Sequence, residues 1–185
     1  MNTVHIQRPI DSDLYAGLLE YINLLDTQFN FRGKSMIEIG SYQGESTEQF
    51  AKLFGSIHAI DPWQNGYDPN DISSHVTDMV LVEQAFDNRM IQYPNVKKIK
   101  GKAEVVIPTF NSIVDFVYID GIHTREALLQ DLHNASKISK YIGGHDWGWT
   151  DVLESIKEFL KVETLEGQPI YVCRDSSWII NKQFV

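Results

Sequence analysis

Five short apolar runs, each followed by a stretch of another character, constrain this 185-residue chain more than any other feature. The runs are SMIEIG (35–40), IHAID (57–61), VKKIKG (96–101), VDFVYID (114–120) and KYIGG (140–144). Between them lie helical stretches: ESTEQFAKLFG, closing at Gly55 as a helix often closes on glycine; residues 62–95, a loop that turns helical around MVLVEQAFDNRMIQ; the short AEVVIPTF, interrupted by Pro108; and HTREALLQDLHNASKI, with Thr124 as cap and Leu128, Leu132 and Ala135 facing inward. TDVLESIKEFLK follows, with Val152, Ile156, Phe159 and Leu160 on one face. Parallel neighbours need a crossover that a helix supplies, so the alternation predicts a mostly parallel sheet covered on both faces.

The two ends complete the plan. DSDLYAGLLEYINLLDTQF sets Leu14, Leu18, Ile22 and Leu25 on one helical stripe, capped by Asp11 or Ser12. PIYVCRDSSWIINK holds two apolar runs around Arg174-Asp175-Ser176 and reads as a hairpin, which must add antiparallel strands. The expected fold class is α/β, a doubly wound seven-stranded sheet, mostly parallel with a C-terminal antiparallel hairpin. One domain over 1–185 is expected, with a helical segment at 1–33 and a core at 34–182; no linker or repeat divides it.

Composition removes some functions. The formal charge is -9, from 25 acidic and 16 basic residues, so no nucleic-acid partner is expected. Lys97, Lys98, Lys100 and Lys102 read as the wet side of a strand. No segment approaches a membrane span and the N-terminus lacks the plan of a signal peptide, so no membrane partner is expected. Cys173 stands alone, which fits a reducing compartment; the expected location is cytoplasmic.

The stretch MIEIGSYQGEST (36–47) is a strand that breaks into a glycine turn and opens a helix. In an open α/β sheet, ligands lie beyond the carboxyl ends of the strands where strand order reverses, and this turn is the usual place. The dinucleotide fingerprint wants glycine at offsets of about 0, 2 and 5. Counted from Gly40, those offsets carry Tyr42 and Glu45, poor company for a pyrophosphate. The turn offers instead Gly40 and Gly44, with Ser41 and Gln43 between them and Glu38 just ahead. A carboxylate there suits a ligand with positive charge. Asp61 closes the second strand 21 residues after Gly40, where an acid accepts ribose hydroxyls.

This pattern resembles the first motif of class I S-adenosylmethionine-dependent methyltransferases, whose cofactor carries an ammonium and a sulfonium and no phosphate. VYIDGIHTREALLQDL and GGHDW further resemble two signatures of a small-molecule O-methyltransferase family related to catechol and macrolide-sugar O-methyltransferases. The resemblance runs in order over residues 34–182. It implies the Rossmann-like seven-stranded fold, S-adenosylmethionine as cofactor, and, as in the metal-dependent relatives, Mg²⁺ or another divalent ion at the ends of strands four and five. It implies an adenine contact at GKAE, hence at Ala103 and Glu104. Trp63 either covers the adenine or plugs the core.

On matching positions Asp120 and Asp146 are ligand candidates, Asp120 also bordering the cofactor and the reacting centre. His123 falls where relatives place the general base, unless its role at the helix start is structural. His145 stands where the sugar enzymes carry a carboxylate, and imidazole is softer than Mg²⁺ prefers. His145 and Asp146 serve a metal, or else contact cofactor or substrate without one. Trp147 and Trp149 are placed to wall the substrate pocket. The expected partner is a small hydroxylated molecule. A homo-oligomer is left open, as are a non-catalytic binding role and, less favoured, an NAD-dependent oxidoreductase.

Overall fold

The computed structural model describes residues 12–68 and 72–181. Its elements run α1 (Asp13–Thr27), β1 (Ser35–Ile39), α2 (Glu45–Ala51), β2 (Ser56–Asp61), α3 (Ile72–Val76), α4 (Met79–Met90), β3 (Val96–Lys100), α5 (Ala103–Val106) with a 3₁₀ turn at Ile107–Thr109, β4 (Phe116–Ile119), α6 (Arg125–Ile138), β5 (Tyr141–Gly144), α7 (Thr150–Leu160), β6 (Ile170–Val172) and β7 (Trp178–Asn181). The strands form one sheet in the order β3-β2-β1-β4-β5-β7-β6. β1 to β5 are parallel, while β7 runs antiparallel to both β5 and β6. The expected fold class is therefore the observed one. Strand order reverses at β1, which lies between β2 and β4.

Strand alternation distributes the core. Met36, Phe116 and Tyr118 face the side that Tyr21, Leu25, Phe50 and Phe86 cover from α1, α2 and α4. Ile37, Ile39, Val117 and Ile119 face the other, packed by Leu128, Leu132, Val152 and Ile156 from α6 and α7. Apolar residues at both parities are what a parallel strand buried on both faces requires. Glu38 falls on the first face, directed at α2 rather than at solvent.

Three details differ from the sequence expectation. On α1, Leu14 is 49% exposed, and the buried stripe is Gly17, Leu18, Tyr21 and Leu25. The stripe is rotated because α1 docks on the hairpin. A Cβ on Gly17 would stand 2.3 Å from the Asp175 backbone nitrogen, and the Tyr21 hydroxyl donates to the Trp178 carbonyl at 2.9 Å. Ser12 is the cap, its hydroxyl accepting from the Tyr15 N–H, whereas Asp11 lies outside the described residues.

Helix α2 ends at Ala51, short of Gly55. Gly55 is needed for a close approach instead, since a Cβ there would lie 2.5 Å from the Gly33 carbonyl oxygen. Of the four lysines, Lys97, Lys100 and Lys102 are exposed as expected, and Lys98 alone is half-buried. Lys98 pairs with Glu83 and Asp87 of α4 at 2.7 Å each, and Lys100 pairs with Glu83.

Candidate active site

The carboxyl ends of β1, β2, β4 and β5 open into one cavity of about 420 Å³, lined by the β1 turn, Asp61, Gly101, Ala103, Asp120, His123, His145 and Asp146. That volume lies within the usual range for small-molecule sites. The segment 62–68 and the helix α3 reach it, bringing Gln64, Tyr67, Asp68 and Ser74 to the wall.

The β1 turn is built by contact as much as by conformation. Gly40 has φ 85°, and a Cβ on it would sit 1.9 Å from the Asp120 carbonyl oxygen. Glycine here lets the β1 and β4 ends touch, which brings Asp120 to the turn. Tyr42, Trp63 and Asp146 also adopt left-handed φ of 45°, 41° and 58° without being glycine. Such residues carry a cost of order 1–3 kcal/mol each and cluster at functional sites.

Glu38 is fully buried and lies behind this turn, away from the cavity wall. Its carboxylate accepts hydrogen bonds from Ser41 at 3.0 Å, from Ser46 at 2.7 Å and from Thr47. Burial raises its pKa to about 7, the three hydroxyls pulling the other way and Asp120 adding to the rise. Ser41 and Gln43 do line the cavity.

Asp61 is where the sequence puts it, at the end of β2 on the cavity wall. One oxygen accepts the Tyr42 N–H at 2.9 Å and the other the Trp63 N–H at 2.7 Å. Burial raises its pKa against those two bonds. Each oxygen keeps a further lone pair, as a pair of vicinal hydroxyls requires.

Trp63, for which two readings stood open, is a core residue. It is 4% exposed, packs on Phe86 with ring centroids 5.0 Å apart, and gives its indole N–H to the Tyr42 carbonyl. Pro62 and Gln64 reach the cavity in its place. Ala103 lines the main cavity, while Glu104 faces an adjoining one of about 160 Å³ and accepts from the Tyr67 hydroxyl at 3.3 Å.

At the ends of β4 and β5 the acids and histidines meet. Ligating atoms of Asp120, His123 and Asp146 lie within 4.8 Å of one another. His145 joins through Nδ1, 3.2 Å from Asp146 Oδ1 and 3.8 Å from Asp120 Oδ1. Of the metal set expected from sequence, His145 lies near each acid, but among the described residues the ligating atoms that all converge are those of Asp120, His123 and Asp146. Two hard carboxylates with imidazole beside them fit a divalent cation.

His123 is held from both sides. Its backbone N–H and ring Nδ1 both contact Asp68 Oδ2, at 3.0 and 2.8 Å. Nε2 lies 2.6 Å from Asp146 Oδ2, close but out of line for a hydrogen bond. Burial lowers the His123 pKa, yet Asp146, Asp120 and Asp68 outweigh it and raise it to about 9. The same histidines hold Asp146 well below the usual carboxylate range, despite its burial. In the protein alone His123 is therefore protonated at pH 7. A neutral ring, which a general base needs, requires a cation beside these acids. Trp149 stands at the mouth, 48% exposed, its ring 4.9 Å from that of His123, whereas Trp147 packs on the core.

Asp68 and Asp131 line the same cavity and are not among the candidates that the sequence offers. Asp68 sits in GYDPND, where turn-forming residues conceal any pattern. Asp131 had a visible signal, since it shares the inward stripe of α6 with Leu128 and Ala135.

The model of a family described as methyltransferase domain matches residues 37–145. No curated protein sequence matches the chain at a significant level. Among solved structures, the chain resembles the O-methyltransferase NovP (TM-score 0.65, 13% identity, covering 89% of this chain and 78% of that one). It also resembles the N-methyltransferase NodS from Bradyrhizobium japonicum (TM-score 0.62, 12% identity, 92% and 96%). A Streptococcus mutans protein described as a methyltransferase and solved with SAH gives a TM-score of 0.54 at 13% identity, with 95% and 97% covered. Identities this low speak to the fold alone. Among the described residues no helix is long and apolar enough to cross a membrane.

Proposed function

The chain belongs to the methyltransferase-domain family, and from that premise we propose that it moves a methyl group from S-adenosylmethionine to a hydroxyl oxygen of a small molecule. The observation that carries this reading is one cavity with two chemistries: Asp61 at its β2 end, and Asp120, His123, His145 and Asp146 at its β4–β5 end.

The two ends suit the two reactants. Asp61 offers a carboxylate to the cofactor's ribose hydroxyls. Asp120, at the Gly40 contact, lies between that position and the histidines. Trp149 offers an exposed aromatic face beside His123, on which a ring or sugar face can pack. The acid-lined cavity and the net charge of -9 both disfavour a polyanionic substrate, so a small molecule fits better than a nucleic acid.

A hydroxyl is a weak nucleophile until its proton leaves. A divalent cation held by Asp120 and Asp146 would lower the pKa of a hydroxyl bound to it. His123 then takes the proton. Asp68 holds Nδ1, which leaves Nε2 as the nitrogen that faces the reacting centre. His145 Nδ1 lies within reach of both acids and completes the ligand set. The convergence of His123 with Asp120 and Asp146 favours a second reading, in which His123 is itself a ligand. Its Nε2 serves one role at a time.

The test is methyl transfer from methyl-deuterated S-adenosylmethionine to panels of phenols, sugars and polyketides, with and without Mg²⁺, read by mass spectrometry. A labelled ether on a hydroxylated acceptor supports the reading. Label carried only on nitrogen or carbon overturns the oxygen assignment.

A further inference from the structure

Toward β3 the cavity closes against α5 and α6, and there a buried carboxylate faces it. Asp131 on α6 is 6% exposed and lines both the main cavity and the adjoining one. It accepts no hydrogen bond from any described residue, and the charge acting on it is that of Glu104, another acid. A Cβ on Gly121 would stand 3.9 Å from Asp131 Oδ2, which places the carboxylate beneath the β4 turn. A buried carboxylate without donors loses the solvation it had in water, and a ligand that brings an N–H restores it.

The position says which ligand group arrives. Asp61 receives the ribose at the end of β2, and the reacting centre lies across β1 at the ends of β4 and β5. The base of the cofactor therefore extends the other way, toward Gly101 and Ala103, where the wall is Ile60, Ala103, Ile122 and Asp131. Apolar residues there suit the faces of a flat ring. At its edge the wall offers acids, with no lysine or arginine. Adenine brings an exocyclic amine to such an edge. Hypoxanthine brings a carbonyl oxygen, which an acid repels.

Resting on the adenosyl-cofactor reading above, we propose that Asp131 accepts the exocyclic amine of the adenine and so determines which base the site takes. Glu104, beside it, adds to the bias by facing the same edge from α5.

Calorimetry with S-adenosylhomocysteine and S-inosylhomocysteine tests this at about pH 8, where Asp131, raised by burial and Glu104 to about 7, is ionised. The wild type is expected to prefer the adenine ligand by about tenfold or more, the value of one charge-assisted hydrogen bond. In Asp131→Asn, nearly the same size, the amide can turn to suit either base, and the preference should fall to about threefold or less. Asp131→Ala should behave alike. A wild type that binds both ligands equally, or variants that keep its full preference, would overturn the proposal while leaving the cofactor reading intact. A wild type that binds neither ligand removes the cofactor reading and the proposal with it.

Discussion

Asp68 and His123, 55 positions apart, are joined through a single carboxylate oxygen, which meets both the backbone N–H and the ring Nδ1 of the histidine. The pairing fixes the ring's rotation and ties the segment 62–68 to the start of α6. Asp68→Asn replaces an acceptor by a group that can present a donor to Nδ1, so the ring should lose its orientation. Methyl transfer is expected to fall about 10–100-fold, the usual cost of removing such a partner, with S-adenosylhomocysteine affinity unchanged. Steady-state kinetics beside calorimetry checks this; a variant with wild-type kcat would show the contact to be structural only.

The role of His123 is decided by metal affinity rather than by rate. If it is the base, His123→Ala should lower kcat by about 10²–10⁴ and leave Mn²⁺ binding close to wild type, while Asp146→Asn weakens that binding. Titration followed by electron paramagnetic resonance reads the affinity. Loss of Mn²⁺ binding in His123→Ala, with little change in His145→Ala, would make His123 a ligand instead.

Gly40→Ala should be among the most damaging substitutions in the chain. Its Cβ would meet the Asp120 carbonyl oxygen at 1.9 Å, in a backbone conformation that alanine disfavours. The expected loss is roughly 3 kcal/mol or more by chemical denaturation. A loss under about 1 kcal/mol would mean that the β1–β4 contact yields easily.

Glu38 should leave a mark on stability against pH. Its pKa rises from 4.5 to about 7 on folding, because burial favours the neutral carboxyl. A raised value contributes stability that is full below the unfolded pKa and is lost as pH climbs through the folded one. Compared with wild type, Glu38→Gln should therefore gain between about pH 5 and about pH 8, on the order of 3 kcal/mol in relative terms. Melting curves for the pair across that range check it. A constant difference in Tm would show that Glu38 folds in its ionised form.

Much of the fold is legible in the sequence. Strand–helix alternation and the terminal hairpin carried the sheet and its antiparallel end, because buried parallel strands and turn residues leave local signatures. Asp61 is legible as a candidate because it closes an apolar run, and Asp120, His123 and Asp146 because VYIDGIH and GGHDW resemble the family's signatures. What escaped depends on tertiary contact. Leu14 lost its place in the stripe to Gly17 because α1 docks on the turn at Asp175. Trp63 turned inward to Phe86, which no spacing announces. Asp68 comes from a loop, whose path over the site is set by its landing on His123 rather than by any periodicity.

The central claim is that the cavity at the strand ends holds an adenosyl cofactor, with Asp61 on its ribose. Calorimetric titration of the wild type and Asp61→Ala with S-adenosylhomocysteine, and of the wild type with NAD, tests it most directly. The account predicts that the wild type binds S-adenosylhomocysteine and not NAD, and that Asp61→Ala binds about 10–100-fold more weakly, for hydrogen bonds to a charged acceptor worth roughly 1.5–3 kcal/mol. Equal affinity in the two proteins, or binding of NAD in preference, would contradict it.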